Sequence, residues 1–216
     1  MNSARETGIV RAMRVTGGIL RGRILKVPRG DAVRPTQDMV RQALFSSLAA
    51  RIPGCRFLDL FAGSGAVGLE AWSRGAGQVG WVEGDGRAFR VLQGNLQTLC
   101  GSETGKTEDQ EWRAVRSDAF HYLRGLRGLE SYDIIFADPP YDRTGVERWS
   151  YRLLDELATG RILAADGFFV MEQAREETEA THPAWDVVTT KEYGGTRLTL
   201  YRRRHNEAFG DISRVV

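Results

Sequence analysis

Two stretches hold residues whose types and spacing could do chemistry: "FLDLFAGSGAVGLE" at 57–70 and "YDIIFADPPYD" at 132–142. The first contains Gly63-x-Gly65-x-x-Gly68, a loop whose backbone can turn tightly and approach a ligand that a β-carbon would exclude. That spacing serves any nucleosidic cofactor. Glu83, twenty residues after Gly63, ends the next apolar run and can accept both hydroxyl hydrogens of an adenosine ribose. It does not choose between cofactors either. Asp59 does, because it stands four residues before Gly63, where a dinucleotide would bring its pyrophosphate. A carboxylate repels that anion and attracts the ammonium or sulfonium of S-adenosylmethionine. The competing role for Asp59 is to cap a neighbouring loop through backbone N–H groups. Asp118 follows "WRAVRS" and can accept from an adenine amino group, with the Ala119 N–H on the same pocket edge. It can equally cap the helix that starts at Ala119.

In the second stretch an apolar run delivers Asp138, Pro139, Pro140 and Tyr141. Consecutive prolines fix φ and remove two backbone donors, leaving carbonyls that point outward. The result is a rigid pair of acceptors, the Asp138 carboxylate and the Pro139 carbonyl, with the Tyr141 ring behind them. Such a pair suits an exocyclic amino group on a planar base. The amino lone pair is delocalised into the ring, and two acceptors gripping its hydrogens favour a pyramidal nitrogen aimed at a methyl donor. Tyr141 can stack on the base, worth about 1–3 kcal/mol. A proline-stiffened turn after a strand is the bland reading. What speaks against it is position: the turn ends the fourth strand of a sheet whose first loop is Asp-x-x-x-Gly-x-Gly. No histidine base is required, and His121, His182 and His205 read as surface or packing residues.

These residues need a scaffold that brings two strand ends together. Strands are expected near 56–60, 78–83, 112–117, 132–137 and 166–172, with helices near 65–74, 86–99, 119–127 and 147–158 between them. That alternation predicts an α/β, Rossmann-like parallel sheet covered on both faces. Two further strands near 185–191 and 196–203 are separated by "EYGG", which predicts an antiparallel terminal hairpin. Seven strands result, six parallel or nearly so and one reversed. Upstream, runs at 13–16 and 23–27 around Gly17, Gly18 and Gly22 predict a β-hairpin. In "RPTQDMVRQALFSSLAA", Thr36 is expected to cap a helix, with Pro35 just before the cap. The division expected is a flexible leader over 1–12, a basic hairpin and helix over 13–50, a catalytic domain over 51–204 and a tail over 205–216. The polar segment 101–111 reads as a surface loop.

With 216 residues the chain has room for one α/β domain and a small appendage. No apolar run approaches a membrane span, and the N-terminus lacks the apolar core of a secretory signal. Cys55 and Cys100 have no metal-ligand spacing and read as reduced packing residues of a cytosolic protein. Net charge is only +2, but residues 1–56 carry eleven basic residues against three acids, leaving the remaining 160 residues at −6. Such polarisation gives a local positive field suited to a polyanion; the alternative is a solvated basic arm.

At these residues the chain resembles the class I, S-adenosylmethionine-dependent methyltransferases that modify exocyclic amino groups, and within them the RsmD family. The resemblance spans roughly residues 13–203 and rests on "MRVTGGILRGRILKVP", "RPTQDMVRQALFSSL", "FLDLFAGSGAVGLEAWSRGA", "VEGD", "DPPY" and "YGGTRLTLYRR". It implies a bacterial, cytoplasmic, monomeric and metal-free enzyme that methylates N2 of a guanine in 16S ribosomal RNA, at position 966, in the 30S subunit or its assembly intermediate. Carried over by position, Asp59, Gly63, Gly65, Glu83, Asp118 and Ala119 would bind the cofactor with Phe61 and Ser64 of the loop. Asp138 to Tyr141 would hold the base. Arg34, Thr36 and Arg41 would close over the cofactor's methionine end or the RNA, and Arg21, Arg23 and Lys26 would hold phosphates. Within the same chemistry, an adenine-N6 or cytosine-N4 DNA methyltransferase is the runner-up. From another class, a nicotinamide-dependent oxidoreductase would explain Gly63, Gly65, Gly68 and Glu83 but leave Asp59 and DPPY without a role.

Overall fold

The computed structural model describes residues 13–28, 35–101, 109–126, 131–142 and 144–204, without the side chains of 35–37. Arg34, most of the 101–111 loop, His205 and both expected terminal segments lie outside the described residues. Elements follow in the order α1 (Pro35–Ser47), β1 (Arg56–Leu60), α2 (Ala66–Ser73), β2 (Gln78–Glu83), α3 (Gly86–Leu99), β3 (Glu111–Arg116) and α4 (Ala119–Gly125). Then come β4 (Tyr132–Ala137), α5 (Trp149–Thr159), β5 (Leu163–Ala174), β6 (Trp185–Tyr193) and β7 (Thr196–Arg203).

The strands form one seven-stranded sheet in the order β3-β2-β1-β4-β5-β7-β6. All run parallel except β7, which pairs antiparallel with both β5 and β6. This is the Rossmann-like α/β sheet with a terminal hairpin that the strand–helix alternation predicts. The pairing adds a feature that spacing alone leaves open: β7 inserts between β5 and β6, so β6 is an edge. Central β1 and β4 are buried almost throughout, whereas β3 and β6 at the edges are largely exposed. Strands buried on both faces must be nearly continuous apolar runs, as "RFLDL" and "YDIIFA" are.

Each face carries its own apolar layer. On one, Val40, Leu44, Leu69, Trp72, Leu92 and Leu96 of α1, α2 and α3 pack against Phe57 and Phe136. On the other, Phe120, Leu123, Leu153 and Leu157 of α4 and α5 pack against Leu58 and Ile135. Cys55 and Cys100 are buried and unpaired, and burial pushes each thiol up to about 12, in keeping with a packing role.

The expected N-terminal hairpin is a turn closed by a single bridge, Arg14 to Ile24, with Val15 N–H donating to Arg23 and Leu25 N–H to Met13. It is held by the sheet's helices rather than by its own ladder. Ser73 Oγ donates to the Gly17 carbonyl and accepts from Leu20 N–H. Gly18 sits at φ +76, and a β-carbon there would fall 1.7 Å from the Ser73 carbonyl oxygen. Val15, Leu20 and Leu25 belong to the same apolar cluster as β1 and α2.

One expectation is corrected. Thr36 is not a cap, because α1 begins at Pro35 and places Thr36 inside its first turn. Proline suits the first helical position, where its missing N–H has no intrahelical partner to lose and its φ is already helical.

Candidate active site

Strand β1 pairs with β2 on one side and β4 on the other, so the sheet's connections diverge at β1 and leave a crevice beyond the strand ends. Leu60 lies opposite Ala137, the last paired residues of β1 and β4. The next residues, Phe61 and Asp138, therefore leave the sheet side by side. A cavity of about 600 Å³ opens there, lined by Asp59, Phe61, Gly63, Ser64 and Glu83 from one side and Asp138 to Tyr141 from the other. The two stretches singled out in the sequence share one wall.

The glycine loop is built from the strands beneath it. Ala62 N–H donates to the Val82 carbonyl and Gly65 N–H to the Ala62 carbonyl, giving a tight turn. Phe61 has φ +59, a left-handed backbone that a bulky side chain rarely adopts and that recurs at functional loops. Its ring meets Trp149 edge to face at 5.8 Å. The glycines have distinct roles. Gly63 has φ +55, and a β-carbon there would meet nothing within 4 Å. At Gly65 a β-carbon would fall 2.4 Å from Leu92 Cδ1, and at Gly68 2.2 Å from Trp81 Nε1. Gly63 keeps space open; the other two let α2 and α3 close on the sheet.

Glu83 is buried and fixes this loop: Oε2 accepts Gly63 N–H at 2.7 Å and Oε1 accepts Asp85 N–H at 2.6 Å. Asp59 is buried and lines the cavity, while its Oδ2 accepts Gly68 N–H at 2.8 Å in the first turn of α2. The capping role weighed for Asp59 is thus realised beside its place in the cavity wall. Burial holds its carboxyl well above the usual carboxylate range against the Gly68 N–H, with Asp138 and Glu83 adding repulsion.

At the β4 tip Pro139 is buried and Tyr141 is 40% exposed. Asp138 keeps solvent access at the cavity mouth. Even so, the packed strand ends strip water from its inner side and push its carboxyl up to about 7, and the charge of Glu177 acts in the same direction. Glu172 of β5 lines the same cavity. The sequence reading missed it, though a lone acid in the apolar run "FFVMEQA" was the available signal.

Other expected residues are placed differently. Arg41 lines the cavity but is buried, with its guanidinium committed. Nη2 donates to the Arg14 carbonyl at 2.6 Å and to Asp38 at 2.8 Å, and Nε to Glu70 at 3.4 Å. Glu70, fully buried, also accepts from Thr16 and Arg74. This network ties the hairpin, α1 and α2 together, so Arg41 acts as a clamp. Asp118 is exposed and accepts His121 N–H, capping α4; neither it nor Ala119 is part of the cavity wall. Arg21, Arg23 and Lys26 are exposed and make no ion pair among the described residues. The Lys26 backbone is bridged by Asn95, whose Nδ2 also donates to the Ser64 carbonyl, joining the hairpin to the glycine loop. His182 pairs with Asp155 on the surface, away from the cavity. No metal-binding group of side chains occurs among the described residues. None of the described helices is long and apolar enough to cross a membrane.

A family model described as conserved hypothetical protein 95 matches residues 13–202. Ribosomal RNA small subunit methyltransferase D of Escherichia coli is 36% identical over 192 residues, covering 88% of this chain and 90% of that protein. The Bacillus subtilis protein YlbH is 35% identical over 194 residues, 89% of this chain and 100% of that one. The solved structure of Escherichia coli yhhF matches with a TM-score of 0.74 at 34% identity, covering 91% of this chain and 100% of that chain.

Proposed function

The chain belongs to the conserved hypothetical protein 95 family, the RsmD family, and from that premise we propose that it transfers a methyl group from S-adenosylmethionine to the exocyclic N2 of a guanine in 16S ribosomal RNA. The observation that carries this reading is the shared wall: the glycine loop and the Asp138–Tyr141 tip border one cavity. The Escherichia coli relative, named as a methyltransferase of small subunit ribosomal RNA, supports the substrate class. Maturation of the 30S subunit in the bacterial cytoplasm, by a monomer, is the setting inferred.

The residues fit the cofactor. Space beside Gly63 leaves room for a ligand against bare backbone. On the side of the glycine loop the wall carries Asp59 and Glu83; a cationic ligand there restores to Asp59 the charge that burial withholds, whereas a pyrophosphate would be repelled. Asp59, Phe61, Gly63, Ser64 and Glu83 would hold the cofactor, which when bound supplies an electrophilic methyl group on a sulfonium sulfur. The protein's part is to present the nucleophile. Asp138 and the Pro139 carbonyl accept the two amino hydrogens, and Tyr141 stacks on the base, which holds the lone pair in line. Asp138 takes the proton that the methylated nitrogen sheds. A carboxyl titrating near 7 is a better base for this than an ordinary one. Arg21, Arg23 and Lys26, with Arg34, would hold RNA phosphates, while the surrounding RNA shape selects the guanine.

Mapping methylated guanines in 16S RNA from cells lacking the gene tests the proposal. One N2-methylguanine should disappear, return with the wild-type gene and stay absent with Asp138→Ala. An unchanged methylation pattern overturns it. Calorimetry with S-adenosylhomocysteine and NAD separates the oxidoreductase reading, which requires NAD to bind instead.

A further inference from the structure

Asp138, the first residue after β4, and Glu172 in the parallel neighbour β5 occupy adjacent positions. The last pair between β4 and β5 is Ala137 with Met171, so each acid stands one residue beyond it. Ala137 and Met171 both pack into the α4–α5 face, so alternation sends both acids to the opposite face, toward the cavity they line. Two like charges side by side on one face of a sheet repel unless a cation or a proton lies between them. Arg41 is the guanidinium in that wall, and it is committed to Asp38, Glu70 and the Arg14 carbonyl. Among the described residues, the other ionisable groups facing the pair are Asp59 from β1, Glu83 from β2, Tyr141 after β4 and Glu177 after β5, and none of these supplies a positive charge. A proton shared between the two acids relieves their repulsion.

We propose that Glu172 is a positioning residue for Asp138: as a neutral acid it donates a hydrogen bond to the Asp138 carboxylate and holds that acceptor toward the amino group of the base. The inference rests on the methyltransferase reading for its consequence, though the proton sharing belongs to the free protein. Exposure decides which acid keeps the proton. Asp138 is exposed at the cavity mouth and Glu172 is half-buried in β5, so the charge falls on Asp138, where water can reach it, and the proton on Glu172. In the same direction, burial and then the charge of Asp138 raise Glu172 well above its usual range, with Arg41 opposing. In that state one acid accepts from substrate and the other steadies it.

Two variants and two readouts test this. Glu172→Gln keeps a neutral donor, whereas Glu172→Ala removes it. Wild-type methyl transfer should rise with pH as Asp138 ionises and fall again in alkali as Glu172 loses its proton. Glu172→Gln should keep the acid limb and near-normal turnover but lose the alkaline fall. Glu172→Ala should be about tenfold slower throughout, the loss expected for one hydrogen bond to a charged group. Independently, carboxyl carbon NMR of the cofactor-free protein should show Asp138 responding to two titration steps in wild type and one in Glu172→Gln. A single step in wild type, an alkaline limb retained in Glu172→Gln, or equal losses in both variants overturns the proposal. Two steps in a protein that methylates no RNA would instead strike the activity reading and leave the proton sharing intact.

Discussion

The carboxylate of Glu83, at the end of β2, accepts the Gly63 backbone N–H at 2.7 Å, so the tip of one strand holds the loop that leaves its neighbour. Its other oxygen holds Asp85 N–H, which in turn starts α3. Glu83→Ala leaves both donors without this partner and removes the acceptor for a ribose. Affinity for S-adenosylhomocysteine should fall roughly tenfold to a hundredfold, the range for hydrogen bonds to a charged group. Calorimetry gives the number; unchanged affinity would mean that the ribose is held elsewhere.

Gly63 and Gly68 should fail in different ways. Gly68→Ala drives a methyl group into the fully buried Trp81 ring at 2.2 Å from Nε1. Overpacking of that kind costs about 1–3 kcal/mol, and each kcal/mol lowers the melting temperature by about 2–4 °C in a chain of this size. Gly63→Ala has open space for its methyl group and only the left-handed backbone, at φ +55, to oppose it, about 1–2 kcal/mol. Its larger effect should be on cofactor binding. Thermal melts and calorimetry on both variants separate the packing glycine from the ligand-facing one.

Asp138 should trade stability for function. Its carboxyl titrates near 7 in the folded chain against 3.8 for the ordinary group. The unfolded chain releases that proton first, so the stability Asp138 contributes is full below 3.8 and is lost as pH rises through about 7. Asp138→Asn carries no such charge. It should melt above wild type at about pH 8, the gap closing as pH falls toward the ordinary carboxylate value. Methyl transfer should be abolished, with cofactor binding little changed. A variant less stable than wild type at alkaline pH would contradict the raised titration.

Arginines from the same basic stretch should separate by readout. Replacing Arg21, Arg23 and Lys26 with Ala removes three exposed cations, and the slope of log affinity for RNA against log salt should shrink by about 2, at roughly 0.7 per single-strand phosphate contact. Arg41→Leu should leave that slope alone. Instead it strips Glu70 and Asp38 of a buried partner, at a cost of about 3–5 kcal/mol. A shallower salt slope in Arg41→Leu would return that residue to the RNA surface.

Much of this site is legible in the chain. β1, β2 and β4 begin and end where their apolar runs do, because a strand buried on both faces can tolerate few polar residues. The loop at Gly63 and the tip at Asp138 follow from local rules: glycine where the backbone is left-handed, proline where it must be rigid. Thr36 shows where such rules mislead, since Thr at a cap and Pro at the first helical position compete for one boundary, and proline took it. Arg41 shows the larger gap. Its basic neighbours suggest an RNA contact, yet its guanidinium answers Glu70, twenty-nine residues away in α2.

By itself the sequence determined which groups can do chemistry and which strand ends carry them, because composition, periodicity and turn residues act over a few neighbours. Tertiary structure alone decided who stands beside whom. Strand order put β5 next to β4 and so Glu172 beside Asp138; helix packing took up Gly65 and Gly68 and left Gly63 bare; a buried ion network withdrew Arg41 from the surface. Each of these is a contact between segments far apart in the chain, fixed by the register and packing of the whole sheet rather than by any local preference.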